Sequence, residues 1–168
     1  MLHLRPYRKA DFQSISSWLS DPQDHAFWCG DIFPYPLARK DFEQKLAADE
    51  VQYGSCGYTA IREDGTPVGF AVLSFNEVEH TGMICYLIVD AQLRHQGYGT
   101  EMLRLLCKYS RLILGINQLT LNVFDSNVKA INCYQKCGFK IIQVEDAPVF
   151  IRNKKYYRCR MQRCEQNL

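Results

Sequence analysis

The spacing of apolar residues in the first third of the chain predicts one short strand and two helices. Residues 2–6 alternate apolar and polar side chains, and Asp11 then stands where a helix N-cap is favoured. Helical spacing follows, and we expect Asp21 and Pro22 to end that helix because a proline ring cannot continue the hydrogen-bond ladder. An irregular aromatic segment separates it from a second helix, expected over residues 37–48.

Midway along the chain the apolar period changes to that of strands. Residues 58–61 and 67–75 flank a Glu-Asp-Gly turn, which predicts a β-hairpin. The nearly all-apolar run at 83–89 predicts a strand buried on both faces near the centre of a sheet. A helix over 99–114 and an alternating strand over 119–123 follow, and we expect this unit to be a right-handed parallel crossover.

The last third of the chain predicts one more helix and two more strands. Asn127 is a favourable N-cap for that helix and Gly138 a favourable end. Residues 139–144 and 155–161 alternate as strands do, and the second is expected at a sheet edge. Since no linker or repeat interrupts the order, residues 1–168 are expected to form one α+β domain.

Charge and cysteine content narrow the classes of function. The 20 basic and 18 acidic residues give a net charge of +2, too balanced for a protein whose main task is to neutralise phosphate backbones, so nucleic acid is an unlikely partner. Eight cysteines without a C-x-x-C pair indicate reduced thiols in the cytoplasm and no metal site. No apolar run approaches the length of a membrane span, so no membrane role is expected.

The most informative local motif joins the strand at 83–89 to the helix after it. Arg94, Gly97 and Gly99 stand at a helix N-terminus, where unpaired amides and the helix dipole favour phosphate oxygens. The spacing is not a dinucleotide fingerprint, because its third glycine would fall at Met102, and no G-K-[ST] of a P-loop follows. The simpler alternative is that the glycines only shape a tight turn.

The order of motifs resembles that of the GNAT superfamily of N-acetyltransferases. The resemblance rests on R-x-x-G-x-G at 94–99, the strand Leu-Thr-Leu-Asn-Val at 119–123, and then Asn127, Ala130, Tyr134 and Gly138-Phe139. It implies a mixed sheet of six to seven strands with a splayed parallel pair, flanked by about four helices. Acetyl-CoA would lie in the opening between the splayed strands, with no metal.

The resemblance also implies which residues bind acetyl-CoA. Backbone groups at the end of the strand would bind the pantetheine arm, and amides of the glycine loop would hold the pyrophosphate. The implied set is Leu87, Ile88, Val89, Arg94, His95, Gln96, Gly97, Tyr98, Gly99, Thr100, Asn122, Asn127, Ala130 and Tyr134. The alternative for two of them is that Asn127 is only a cap and Tyr134 only a core residue.

The implied chemistry is direct acetyl transfer to a primary amine within a ternary complex. A main-chain N–H near Val89 would stabilise the oxyanion, and Tyr134 would protonate the departing thiolate. Glu77 is one candidate for the base that an amine needs, but Glu79, Asp31 and Asp90 are others. Transfer of another acyl group, or a non-catalytic acyl-CoA-binding module, are the alternatives.

The acceptor is expected to be a small-molecule or peptide amine bound beside the aromatic segment. The resemblance places Phe27, Trp28 and Tyr35 near the acetyl group as an apolar rim that suits a cationic amine. A satellite core under a long loop is the alternative for these side chains. The chain is expected to act as a monomer or homodimer.

Overall fold

Nine strands and five α-helices are described in a computed structural model that covers residues 1–164. The strands are β1 His3–Pro6, β2 Cys56–Ile61, β3 Pro67–Asn76, β4 Thr81–Val89, β5 Gln118–Phe124, β6 Lys140–Val144, β7 Val149–Ile151, β8 Lys154–Tyr156 and β9 Arg158–Cys164. The helices are α1 Phe12–Trp18, α2 Pro22–Cys29, α3 Arg39–Tyr53, α4 Tyr98–Leu112 and α5 Val128–Lys136. None of these helices has both the length and the apolarity needed to cross a bilayer.

Seven strands form one mixed sheet in the order β1-β2-β3-β4-β5-β9-β6, and β7 pairs only with β8. Among the strands of residues 1–164, only the β4–β5 pair is parallel. The predicted hairpin is present as β2–β3, with Gly65 in the left-handed region at φ 84°. The predicted parallel crossover is also present, as β4-α4-β5, and β4 is the central strand of the seven.

The sheet separates two cores, which we name by the helices that cover them. On the α4–α5 face, Leu103 and Leu106 of α4 join a cluster with Ile84, Leu121 and Met161 of the strands. On the α1–α3 face, residues of the first three helices, among them Ile15, Trp18 and Phe42, pack on Phe70, Val72 and Ile88. Alternation along each strand assigns its side chains to the two faces.

Asp21 and Pro22 begin a helix of their own, contrary to the prediction of an irregular segment. The Asp21 carboxylate accepts hydrogen bonds from the amides of Gln23 and Asp24 at 2.8 and 2.9 Å, and Pro22 occupies the first helical position. Proline fits there because that position needs no backbone donor. α2 is therefore a fifth helix, one more than the four that we expected.

The prediction of a single edge strand over 155–161 is wrong. The chain forms β8 and β9 instead, and β9 lies inside the sheet between β5 and β6. β7 and β8 form a hairpin whose turn residues Arg152 and Asn153 both have positive φ, 50° and 63°. Alternation alone does not distinguish an edge strand from an interior one, because the pairing partners are distant in sequence.

Candidate active site

The two parallel strands separate towards their carboxyl ends. The β4–β5 ladder runs from Thr81 opposite Gln118 only as far as Ile84 opposite Leu121. The outer ladders continue, since β3 pairs with β4 as far as Val89 and β5 pairs with β9 along its whole length. Residues 85–89 and 122–124 therefore border an opening in the sheet, and the predicted splayed pair is confirmed.

A bulge in β4 accompanies the opening. Tyr86 has φ 52°, and the register with β3 shifts between Phe70 and Val72. The indole N–H of Trp28 on α2 donates a hydrogen bond to the Tyr86 carbonyl oxygen at 2.7 Å. Because a bulge bends a strand and increases its local twist, it turns this end of β4 out of the regular ladder.

The N-terminus of α4 lies directly after this strand end. Asp90 caps a single 3₁₀ turn by accepting the amide of Gln92 at 2.9 Å, and His95 and Gly97 then adopt left-handed conformations. Gly97 is the N-cap of α4 and supplies no capping side chain. The first amides of α4, those of residues 98–100, therefore have no intrahelical acceptor and are free to bind an anion.

Space for that anion is present at Gly97. Its φ is 88°, and a Cβ built on it meets no heavy atom within 4 Å. The positive φ at position 97, rather than close packing, therefore favours glycine there. A Cβ on Gly99, in contrast, would lie 3.6 Å from a methyl carbon of Val89 and 3.7 Å from the Cys133 sulfur, so this turn is packed on both β4 and α5.

Arg94 does not stand in the loop as an unpaired positive charge. Its guanidinium pairs with the Asp24 carboxylate of α2 at 2.5 Å, and both side chains are about a third exposed. The sequence could not predict this pair, because 70 residues separate its members. Arg94 therefore ties the glycine loop to α2, and His95 and Gln96 are exposed beside it.

Tyr134 and Asn127 lie on the α4–α5 face, at opposite ends of α5. Tyr134 is 8% exposed, and burial raises the pKa of its phenol above the ordinary value. Asn127 caps the helix by accepting the Ala130 amide at 3.2 Å, so the cap expected for it is present. Asn122 is exposed and lies opposite Arg160 of β9, on the α1–α3 face.

Two of the three predicted aromatic side chains lie at the wide end of the opening. Trp28 packs on Tyr86 of β4 with ring centroids 5.4 Å apart, and Phe27 packs on Phe124 of β5 at 5.6 Å. α2 thus spans the two separated strands. Tyr35 lies in the α2–α3 connection, where its ring packs on His25 of α2 at 5.4 Å and its hydroxyl donates to the carbonyl oxygen of Ser20 at 2.6 Å.

A groove of about 610 Å³ runs along the α1–α3 face at the paired end of β4 and β5. It is lined by Gln52, Tyr53, Ser74, Phe75, Asn76, Glu77, Glu79, Thr81, Gly82, Met83, Gln118, Thr120 and Arg160. The structure places Glu77 in the exposed turn between β3 and β4, away from the wide end of the opening. Sequence analysis missed this groove, because four separate segments of the chain build it.

One thiol lies beside the opening. Cys85 follows the last β4–β5 pair, and burial raises its pKa to about 11, so it is protonated at neutral pH. All eight cysteines are free thiols. Across residues 1–164, no three His, Cys, Asp or Glu side chains are arranged to hold a metal ion.

Comparison with known proteins relates this geometry to one family. The model of the acetyltransferase (GNAT) family matches residues 8–139. A curated relative, the amino-acid acetyltransferase of Mannheimia succiniciproducens, is 25% identical over 126 residues, which are 75% of this chain and 28% of the relative. This chain therefore spans less than a third of that protein's length.

Solved structures share the fold over nearly the whole chain. A spermidine N-acetyltransferase from Vibrio cholerae, solved with CoA and spermine, superposes with a TM-score of 0.82 at 19% identity, covering 97% of this chain and 95% of the other. A putative phosphinothricin N-acetyltransferase superposes with a TM-score of 0.77 at 17% identity, covering 99% and 100%. At these identities the likeness establishes the fold alone.

Proposed function

The chain belongs to the acetyltransferase (GNAT) family, and from that premise we propose that it transfers the acetyl group of acetyl-CoA to a primary amine. The observation that carries the proposal is the opening between residues 85–89 of β4 and 122–124 of β5. It exposes strand-edge backbone groups beside the unpaired amides of α4. An extended amide-bearing chain that ends in a pyrophosphate satisfies both sets of groups at once.

In this proposal the backbone of Leu87, Ile88 and Val89 pairs with the pantetheine amides as a neighbouring strand would. The amides of residues 98–100 hold the pyrophosphate, and Gly97 leaves room for it. Acetyl-CoA supplies the activated thioester. Asn127 retains its amide N–H groups for the pantetheine arm, because its cap uses only the side-chain oxygen.

In this proposal the CoA thiolate departs on one face of the sheet, and the acceptor amine approaches from the other face. Tyr134 lies on the α4–α5 face, where burial keeps its phenol protonated at neutral pH. In this proposal the phenol donates a hydrogen bond to the departing thiolate and passes its proton to it as charge develops on the sulfur. The acceptor would enter from the α1–α3 face, beneath α2 and along the groove. The main-chain N–H at Val89 remains our candidate for stabilising the oxyanion.

The acceptor amine must be neutral when it attacks, and Glu77 is our candidate among the carboxylates for its base. About three residues of β4 separate the turn of Glu77 from the vertex of the opening, a span of roughly 10 Å. Glu77 would thus act through intervening water, or would bind a second cationic group of the acceptor. Cys85 is protonated at neutral pH, which favours direct transfer over a thiol-linked route.

The acceptor class that fits best is a small cationic amine. Trp28 and Phe27 provide aromatic surface at the wide end, and Glu77 and Glu79 place carboxylates along the groove. The relatives are named for spermidine, amino-acid and phosphinothricin acceptors, each of which carries an amine. The free cysteines fit a reducing compartment such as the cytoplasm.

Release of free CoA thiol from acetyl-CoA, followed over a panel of amines, tests this proposal. The panel would contain spermidine, spermine, free amino acids, phosphinothricin and short peptides. Thiol release that depends on one class of amine is expected, together with an acetylated product of matching mass. A thermal shift with CoA but no thiol release with any amine would favour the binding module instead, and preference for propionyl- or succinyl-CoA would favour another acyl group.

A further inference from the structure

A buried carboxylate of α3 lies on the face of the sheet from which the acceptor would approach. Asp49 is 6% exposed, and its carboxylate pairs with the ammonium group of Lys45, one turn earlier on the same helix. Within residues 1–164, no second side chain pairs with this carboxylate. A buried charge is costly unless it is paired, so this carboxylate depends on a single cation.

α3 runs along β4 in the opposite direction, from the wide end of the opening to the groove on the α1–α3 face. Phe42, near the start of α3, packs on Phe70 with ring centroids 5.5 Å apart, and Phe70 pairs with Ile88 of β4. Tyr53, the last residue of α3, lines the groove together with Met83 of β4. Between Phe42 and Tyr53 the helix rises about 16 Å, and between Ile88 and Met83 the strand spans about 17 Å. The two segments therefore cover the same distance.

This course brings Asp49 level with Cys85, the first residue of β4 beyond the part that pairs with β5. Asp49 follows Phe42 by seven residues, about 10 Å of helix, and Cys85 precedes Ile88 by three residues, about 10 Å of strand. The electrostatics agree with this position. Burial is the main cause that raises the pKa of the Cys85 thiol, and the charge of Asp49 raises it further while that of Lys45 lowers it. The ion pair therefore lies beside the vertex of the opening.

Lys45 holds this carboxylate by a contact that another cation can replace. The Lys45 side chain is about a third exposed, so its ammonium group can leave the pair and remain in water. Ion pairs four residues apart on one helix add little stability, and a cation placed N-terminal to the anion is the weaker of the two orders. A cation that enters along the groove therefore meets a carboxylate whose partner is readily displaced.

We propose that Asp49 binds the amino group of the acceptor and that Lys45 occupies this site in its absence. The inference rests on the proposed function and deepens it, because it names the group that recognises the amine. The pantetheine arm would extend from the amides of α4 along residues 89–87, which directs its thioester end towards the vertex. A carboxylate accepts a hydrogen bond from an amine in either protonation state, so Asp49 also holds the neutral form that attacks. Glu77, farther along the groove, then binds a second cationic group of the acceptor.

Calorimetric titration of the protein saturated with CoA tests the inference without turnover. The probes are spermidine, which is a triamine, and butylamine, which is a monoamine. Asp49→Asn should weaken the binding of both amines at least about tenfold, the contribution of one charge-assisted contact, and leave the CoA affinity unchanged. Lys45→Met removes the competing cation and should strengthen the binding of both amines about twofold to fivefold.

A purely structural ion pair would behave differently, because either substitution would break the same pair. Loss of amine affinity in Lys45→Met, or unchanged affinity in either variant, would overturn the inference. Glu43→Gln is the matched control, since Glu43 forms a second pair of this spacing on α3, with Arg39 at 3.5 Å, and it should leave amine binding unchanged. Lys45→Met replaces a partly exposed side chain, so the test does not depend on the folding of Asp49→Asn.

Failure of this inference can be distinguished from failure of the proposed function. Thiol release from acetyl-CoA by the unmodified protein, with an equal KM for the amine in Asp49→Asn, would refute the role of Asp49 and leave the acetyltransferase proposal standing. Binding of neither amine by the unmodified protein would also refute that role. Absence of thiol release with every amine of the panel would refute both.

Discussion

Replacement of Gly97 by alanine tests whether the α4 amides form an anion site. At φ 88° an alanine costs about 1–2 kcal/mol, because left-handed backbone is strained in any residue with a Cβ. For a domain of this size that cost lowers the melting temperature by roughly 2–8 °C. Relief of the strain would rotate the amides that follow. Loss of one charge-assisted contact of about 1.5–3 kcal/mol then weakens CoA binding roughly tenfold to hundredfold.

Gly65 provides the matched control. It has φ 84° in the β2–β3 turn, a Cβ on it also meets nothing within 4 Å, and it contributes no amide to the first turn of α4. Gly65→Ala should therefore lower the melting temperature as much as Gly97→Ala does, with no change in CoA affinity measured by titration calorimetry. Full CoA affinity in a folded Gly97→Ala protein, or equal losses in both variants, would refute the reasoning.

Three further predictions concern Tyr134, Glu77 and Asp11. Tyr134→Phe should lower kcat about a hundredfold while CoA affinity stays unchanged. Because the raised pKa keeps the phenol protonated, the rate of the unmodified enzyme should not fall through ionisation of Tyr134 up to pH 9. A kcat of Tyr134→Phe equal to that of the unmodified enzyme would refute the role of Tyr134 as an acid. If Glu77 binds a distant cationic group of the acceptor, Glu77→Gln should raise the KM for spermidine about threefold to fivefold and leave the KM for a monoamine unchanged. If Glu77 is instead the base, the same substitution should lower kcat for both amines. Asp11→Asn should destabilise the fold by about 3–5 kcal/mol in urea titration, because the buried carboxylate accepts two 2.7 Å bonds from Arg5; an unchanged midpoint would contradict this.

The pH dependence of stability has a defined sign at Asp11. Burial alone would raise its pKa, but hydrogen bonds from Arg5, the Arg8 amide and Thr59 lower it below the ordinary value. The carboxylate therefore stabilises the fold fully above its unfolded pKa of about 3.9, and that stability is lost as the pH falls below it. The urea midpoint of Asp11→Asn should accordingly vary less between pH 3 and 6 than that of the unmodified protein.

Local patterns carried much of the information about the fold. The apolar run at 83–89, the Asp-Gly turn and the amphipathic α4 each depend on neighbouring residues, and the structure contains all three. The start of α2 at Asp21 and Pro22 also had a local signal, since aspartate at the N-cap and proline at the first position form a typical helix start. Because proline also ends a preceding helix, the prediction assigned Pro22 to the end of α1 and not to the start of α2.

Local sequence patterns could not predict contacts between residues that are far apart in sequence. The end of the β4–β5 ladder at Ile84, the interior position of β9 and the Arg94–Asp24 pair all depend on segments that are far apart in sequence. The groove on the α1–α3 face also depends on distant segments, because side chains from separate elements line it. The position of the glycine loop was therefore predictable, whereas its electrostatic partner and the acceptor side were not.

Hydrogen–deuterium exchange with and without CoA tests the central claim most directly. If CoA occupies the opening, the amides of residues 87–89 and 98–100 should exchange more slowly in its presence, while those of the last turn of α3 should not change. Protection confined to those two segments would support the account. CoA binding without protection at either segment would contradict it.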